Sequence, residues 1–250
     1  MTMDEIRVTF HQELEEIQRD LMRAAARVTE TITRGTQILL ELDLGGARQL
    51  IADDDELDDL TAGIEDRCFR ILVLQQPMAS DMRTVVTAIR LSSEIERSGD
   101  LMVNVAKAAR RLYGNEIPPR LRGLLEAMAT EAIRLYRMAM DAYVERDADL
   151  AGALNDMDDR LDNIHKDYIR AILELHADAK DVQMAVQLAL VGRYYERIGD
   201  HAVNIGERVS FMVTGHLPEY NHDAPPVETS APAAGDPNDV SPTQDPDPPE

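Results

Sequence analysis

Two short acidic patterns occur twice in this sequence and could together bind metal ions. Acids four residues apart stand at Glu96 and Asp100 and recur 100 residues later at Glu196 and Asp200, and an asparagine follows each pair after four more residues. Carboxylate and amide oxygens are ligands for hard divalent cations such as Mg²⁺, Ca²⁺ and Mn²⁺, and carboxylates also bridge iron clusters. The candidate ligands are Asp54, Asp58, Glu96, Asp100 and Asn104 in the first half and Asp158, Asp162, Glu196, Asp200 and Asn204 in the second.

The spacing of these acids predicts that they face one another across helical hairpins. Residues four apart share one face of a helix, so each acidic pair forms a two-carboxylate stripe. In an antiparallel hairpin with its turn at Pro77, the first stripe of the first half lies level with the second. A turn at Ala179 does the same for the second half. The sequence therefore predicts four carboxylates at one level in each half.

A competing interpretation of the acidic stripes is ordinary charge pairing. Arginines near the stripes could neutralise them in pairs between helices, or the stripes could simply face solvent, as acidic helix faces commonly do. The arginines concerned are Arg67, Arg97, Arg160, Arg193 and Arg197. The metal interpretation and the charge-pair interpretation both stay open at this point.

Three other kinds of residue could take part in chemistry, and each has a simpler structural role. Gly99 and Gly199 lie inside predicted helices, where close approach of a neighbouring helix explains them better than direct ligand binding. His201 follows Asp200 and could supply one metal ligand, although a single helical histidine is more often a packing residue. Cys68, the single cysteine, is predicted to be a buried reduced thiol.

The stripes require long amphipathic helices to position them. Apolar residues recur at spacings of three and four, and glycines, prolines and aspartates interrupt the pattern at five places. The predicted helices are 3–43, 47–75, 79–113, 119–146, 149–176 and 181–214. Short connections make neighbouring helices antiparallel, so the predicted fold is all-α, with six long helices in two tandem three-helix bundles.

The chain divides into two repeats and a tail. Residues 1–115 form the first predicted repeat and residues 116–216 the second, because the two acidic patterns recur at offsets of 104 and 100 residues. Residues 217–250 hold nine prolines and eight acids but no lysine or arginine. Such a composition is too polar to bury a core, so this acidic tail is predicted to be disordered.

Net charge and hydropathy exclude several classes of function. The chain carries a net charge of −21, and residues 1–216 alone carry −13. A body this acidic repels a phosphate backbone, which argues against nucleic-acid binding. No run of about 18 apolar residues and no signal peptide pattern appears, so we expect a cytosolic protein without membrane insertion.

These motifs resemble the PhoU family of phosphate-uptake regulators. The family carries a Glu/Asp-x-x-x-Asp motif in each of two three-helix bundles, and the two acidic pairs with their following asparagines match it. The segment from Gln76-Pro77 to Asp81-Met82-Arg83 resembles the family's entry to the third helix. Ser98 stands where the family usually has isoleucine, Gln183 stands at the position equivalent to Arg83, and Gly206 replaces the usual alanine.

The resemblance implies a regulatory adaptor rather than an enzyme. Such a protein would contact the phosphate ABC transporter and a sensor histidine kinase, at the inner face of the membrane, and would repress the phosphate-starvation response when phosphate is sufficient. Family members are similar in binding metal ions and in forming dimers, so Fe, Zn, Mn or Mg and a homodimer are expected. The alternatives are a carboxylate-bridged metal-binding bundle with a redox or cation-storage role, and a scaffolding bundle unrelated to phosphate.

Overall fold

The computed structural model describes residues 3–174 and 179–216, in which every regular element is an α-helix. The helices are α1 (Met3–Glu41), α2 (Leu44–Asp53), α3 (Asp55–Gln75), α4 (Ser80–Leu112), α5 (Pro119–Glu145), α6 (Ala148–Leu173) and α7 (Ala179–Thr214). The all-α prediction is confirmed. The prediction of a disordered tail falls on residues outside this description.

Five of the six predicted helices agree with the structure to within a few residues, and the second does not. The prediction of one helix over residues 47–75 is wrong in two respects, because the helix begins at Leu44 and is interrupted at Asp54. The Asp43 side chain accepts a hydrogen bond from the Gly45 amide at 2.9 Å and starts α2 three residues early. Gly45 and Gly46 therefore lie in the first turn of α2 instead of separating two helices.

The interruption at Asp54 lies within three consecutive aspartates, Asp53 to Asp55. Aspartate competes with the helix backbone for hydrogen bonds and favours helix starts over helix interiors. Asp54 keeps right-handed helical angles, and its carbonyl accepts from the amides of both Leu57 and Asp58. The two helices thus meet at a tightened turn, and Asp54 stands at the start of α3.

The turns between the other helices form near the glycines and prolines that interrupt the apolar pattern. Pro119 is the first residue of α5, where its missing amide hydrogen costs no hydrogen bond, and Gly114 has a φ of 85° after α4. Gln76 and Ala79 have φ values of 45° and 48°, which confirms a turn around Pro77. The other predicted turn centre, Ala179, is the first residue of α7, and residues 175–178 lie outside the described ranges.

The helices pack as two bundles joined by their third helices. Helices α1, α3 and α4 contact one another, as do α5, α6 and α7, while α4 packs on α7 and α1 on α5. The Arg83 side chain donates to the Met212 carbonyl at 3.2 Å, and Thr87 donates to the Arg208 carbonyl at 3.4 Å. Residue numbers rise along α4 as they fall along α7, so these two helices are antiparallel.

One apolar core runs through both bundles. Its largest fully buried side chains include Tyr136, Tyr168 and Tyr195. The Tyr168 hydroxyl donates to the Leu188 carbonyl at 3.0 Å, and the hydroxyls of Tyr195 and Thr36 lie 2.6 Å apart, which ties α7 to α1. Burial of this apolar surface drives folding, and the bonded hydroxyls avoid the cost of unpaired polar groups. Among the described helices, none is both long and apolar enough to cross a membrane.

Candidate functional site

The glycines of the two motifs bring the acidic stripes together. A Cβ atom placed on Gly199 would lie 2.5 Å from Asp158 Oδ1 and 2.6 Å from Leu161 Cδ2. In the first half, a Cβ on Gly99 would collide with the Leu57 side chain and lie 3.4 Å from Asp54 Oδ1. Close approach of the neighbouring helix, which the sequence predicts, is therefore confirmed at both glycines. It places Asp54 and Asp158 directly against the motif helices.

Burial, with added repulsion from neighbouring carboxylates, raises the pKa values of three first-half carboxyl groups, Asp54, Asp58 and Glu96. Burial, and then the charges of Asp58 and Asp100, raise the pKa of Asp54 to about 6, although Lys107 offsets part of this effect. The pKa of Glu96 is raised by burial and then by Asp100 and Asp58. These four groups therefore lie within electrostatic reach of one another, as the hairpin geometry predicts. Asp54 and Glu96 are half-buried, whereas Asp58 and Asp100 are exposed.

The second-half carboxylates form an equivalent cluster that contains an arginine. Burial, followed by Asp162 and Asp200, raises the pKa of Asp158 to about 6. Arg193 pairs with Glu196 and also lies 4.0 Å from Asp200. The charge-pair interpretation is thus confirmed for this arginine. Pairing is incomplete, because Asp158 Oδ1 and Glu196 Oε2 are buried without a hydrogen-bond partner in the described residues.

Three of the other four arginines named in that interpretation pair with acids outside the stripes. Arg97 lies 3.8 Å from Glu94, Arg160 lies 3.4 Å from Glu131, and Arg67 pairs with Asp20. Serine occupies position 93, which is equivalent to Arg193, so the first cluster lacks this counter-ion. The two clusters therefore differ in charge compensation.

The donor chemistry of the clusters fits a hard cation, but the side chains are not assembled as a ready site. In residues 3–174 and 179–216, no three His, Cys, Asp or Glu side chains are grouped as metal ligands. The unpartnered oxygens of Asp158 and Glu196 are nonetheless the kind of atom that a cation would satisfy. Binding would therefore require the carboxylate side chains to rotate toward a shared ion.

The two predicted asparagine ligands have different environments. Asn104 is half-buried on α4. Asn204 donates from Nδ2 to Glu94 Oε2 at 3.1 Å, across the boundary between the two bundles. His201 lies on the same side, with Nδ1 2.6 Å from the same oxygen. This amide and this imidazole thus each form a hydrogen bond with a glutamate of the other bundle.

Sequence reasoning missed Glu94 and Glu131. Glu94 precedes the first motif by two residues and so points away from its stripe, and tyrosine takes the equivalent place in the second half, which removes any repeat signal. Glu131 is almost fully buried on α5, where it pairs with Arg134 and Arg160. Its negative charge contributes to the raised pKa of Asp158.

An ion pair between helices is kept in both halves with its charges exchanged. Arg27 of α1 pairs with Glu56 of α3 in the first half. The residues 104 positions later are Glu131 and Arg160, which pair at 3.4 Å between α5 and α6. The duplicated bundles therefore keep an ion pair at this position, but the positive and negative residues have changed helices. The sequence reveals this exchange only when the offset of 104 residues and the paired residues are already known.

Neutralising Asp158 should stabilise the metal-free protein above pH 6. A folded-state pKa of about 6 exceeds the ordinary value of 3.8, so the folded chain holds this proton more tightly than the unfolded chain. The contribution of Asp158 to the free energy of unfolding is therefore greatest below about pH 4 and falls as pH rises through about 6. After allowance for solvent screening, Asp158→Asn should add about 1 kcal/mol at pH 8 and little at pH 4.

Urea unfolding in the presence of a chelator at pH 4 and pH 8 measures this difference. Asp156→Asn is the matched control, because Asp156 is an exposed residue of the same helix and loses the same charge. A destabilised Asp158→Asn protein at pH 8, or an equal gain in the control, would contradict the electrostatic account.

Both halves of this chain match one known protein domain. The PhoU domain matches it twice, over residues 21–109 and 125–209. The chain belongs to the PhoU domain family. Each PhoU match contains one pair of facing acidic stripes, so the duplicated motif and the duplicated domain coincide.

Two mycobacterial PhoU proteins align with this chain over nearly their whole length. The phosphate-specific transport system accessory protein PhoU homolog 1 of Mycobacterium tuberculosis is 37% identical over 214 residues, which cover 85% of this chain and 96% of the relative. PhoU homolog 2 of the same organism is 33% identical over 214 residues, covering 85% of this chain and all of the relative.

A solved PhoU structure has the same fold. The crystal structure of PhoU from Pseudomonas aeruginosa superposes with a TM-score of 0.77 at 29% identity, covering 83% of this chain and 100% of that one. The two tandem bundles are thus the architecture of a PhoU protein.

Proposed function

We propose that this PhoU-family protein is a cytosolic, non-enzymatic adaptor of phosphate homeostasis. In this role it contacts a phosphate ABC transporter and a sensor histidine kinase at the inner face of the membrane. It represses the phosphate-starvation response while phosphate is sufficient. The observation that carries the proposal is the pair of PhoU matches, together with relatives that are named phosphate-specific transport system accessory proteins.

A deletion experiment in the native host tests the adaptor. Deleting the gene should induce phosphate-responsive transcription in phosphate-replete medium, and deleting the kinase as well should abolish this induction. Tagged protein from replete cells should co-purify with transporter components and with the kinase. Unchanged phosphate-responsive transcription after deletion would refute the regulatory role. Induction that persists without the kinase would refute the link to it.

We also propose that the two carboxylate clusters bind divalent or transition metal ions, with Fe, Zn, Mn and Mg as the candidates. Support comes from the mutual repulsion within each cluster and from the two unpartnered oxygens of the second. Burial raises the pKa values of Asp54 and Asp158 most, and a bound cation would offset the further contribution of repulsion within each cluster. Self-association into a homodimer, measurable by sedimentation, is a further expectation from the family.

Elemental analysis of purified variants tests the metal proposal. Asp100→Ala and Asp200→Ala should each remove about half of the bound metal, and the double variant should remove nearly all of it. Asp59→Ala is the control, since this exposed aspartate of α3 lies outside the stripe. Equal metal content in the wild type and the double variant would contradict binding at these clusters.

A further inference from the structure

A large exposed apolar surface lies at the tip of the hairpin formed by α3 and α4. It consists of Phe69, Val73, Leu74, Met78 and Met82, with Leu74 exposed by 74% and Met78 by 80%. Isolated apolar side chains are normal at a protein surface, but five exposed ones between residues 69 and 82 of a single hairpin indicate a surface that another segment covers. Two methionines within it suit an adaptable contact. We call this group the hairpin-tip surface.

A guanidinium that no acid neutralises in the described residues lies beside the hairpin-tip surface. Arg67 pairs with Asp20 and Arg70 pairs with Asp66, whereas Arg83 forms no ion pair there and donates to the neutral Met212 carbonyl. An acidic segment with some apolar residues is therefore the partner chemistry that fits this place.

The end of α7 lies beside the hairpin-tip surface. Arg83 donates to the Met212 carbonyl at 3.2 Å, and a Cβ on Gly215 would lie 3.5 Å from the Arg83 guanidinium. Val213, which is partly exposed, belongs to the same end of the bundle. The last described residue, His216, therefore lies close to the apolar surface and to the Arg83 guanidinium.

The 34 residues that follow have the required composition. Residues 217–250 hold eight acids with no lysine or arginine, and Leu217, Tyr220 and Val227 supply apolar side chains near their start. Nine prolines favour an extended polyproline conformation, which lowers the entropy lost when such a segment docks. We propose that this acidic tail folds back and covers the hairpin-tip surface of its own chain.

Chain length favours this surface over the comparable one at the far end of the molecule. Leu173, Val182, Val186 and Leu190 are exposed on the hairpin formed by α6 and α7. That hairpin lies at the start of α7, whose 36 residues span about 54 Å. Even fully extended, residues 217–227, which hold the three apolar side chains near the start of the tail, span only about 36 Å. This apolar part of the tail can therefore reach the near surface but not the far one.

Paramagnetic relaxation in the full-length protein tests the contact. A spin label on Ser230→Cys would be selective, because Cys68 is buried and burial raises the pKa of its thiol to about 12. The methyl signals of Met78 and Met82 should lose about half of their intensity or more, whereas Met184, near the opposite end, should be unaffected. High salt should weaken the effect.

Matched surface variants and a mixed-label control show whether the tail, a second copy of the chain or neither covers the hairpin-tip surface. Leu74→Glu should abolish the broadening by repelling the acidic tail, while Leu173→Glu, at an equally exposed site on the other hairpin, should leave it intact. Broadening that persists when the spin label and the isotope label are carried by different molecules in a mixed sample would show that a second copy covers the surface. No broadening would show that the surface is open to another partner. Either of these two results overturns the proposal.

Discussion

Replacing Gly206 with valine is expected to destabilise the protein by about 3 kcal/mol, because no side chain fits between α6 and α7 at this position. A Cβ on Gly206 would lie 2.8 Å from the backbone oxygen of Ala151 and 2.6 Å from Leu154 Cδ1. A backbone atom cannot rotate away as a side chain can, so the helices would have to separate.

Urea unfolding measures the effect, and Gly152→Val is the control. Gly152 lies on α6 with no atom within 4 Å of an added Cβ, so its replacement should change stability by less than about 0.5 kcal/mol. The comparison separates the close helix contact from the general effect of replacing glycine in a helix. Equal effects at the two positions would refute the packing explanation.

Removing the Glu94 carboxylate is expected to cost a similar amount, about 3 kcal/mol, at the boundary between the bundles. Glu94 is mostly buried and accepts hydrogen bonds from His201 Nδ1 at 2.6 Å and Asn204 Nδ2 at 3.1 Å. These two hydrogen bonds, with burial opposing them, hold its pKa below the usual value. Glu94→Ala would leave the buried His201 ring and the half-buried Asn204 amide without this acceptor, and each carries a desolvation cost.

The conservative variant Glu94→Gln distinguishes lost hydrogen bonding from lost packing. Its amide keeps the shape of the side chain and one acceptor oxygen, so the expected cost is about 1 kcal/mol. Hydrogen exchange should show the loss of protection in α4 and α7 first, because the pair joins these helices. Equal stability of the wild type and Glu94→Ala would show that the contact between the bundles does not depend on this glutamate.

Much of the fold follows from local sequence features. Apolar spacing, Pro119 and Gly114 predict five helices closely, because amphipathic period and chain breakers act within a few residues. The prediction of the second helix is wrong because its start depends on a hydrogen bond to the Asp43 side chain and its interruption on hydrogen bonds to the Asp54 carbonyl. The spacing of apolar residues does not predict individual hydrogen bonds.

The sequence also predicted which carboxylates lie together in each half, but not the hydrogen-bond partners of the residues around them. Spacing of four and hairpin register place Asp54 with Asp58 and Asp100, and place Asp158 with Asp162 and Asp200. The direction of Asn204 was not predictable, since it binds Glu94 of the other bundle. Glu131 and its exchanged ion pair were missed because partners on other helices decide whether a buried charge is tolerated.

By itself, the sequence determined the all-α class, the duplication and the family, because helix period and motif spacing are local and repeat at a fixed offset. Only the tertiary structure decided which residues join the two bundles and which apolar side chains stay exposed. The first depends on antiparallel packing of α4 against α7, which brings together residues about 100 positions apart, and the second depends on which helix faces a neighbouring helix covers. The local sequence of a helix does not specify its neighbours.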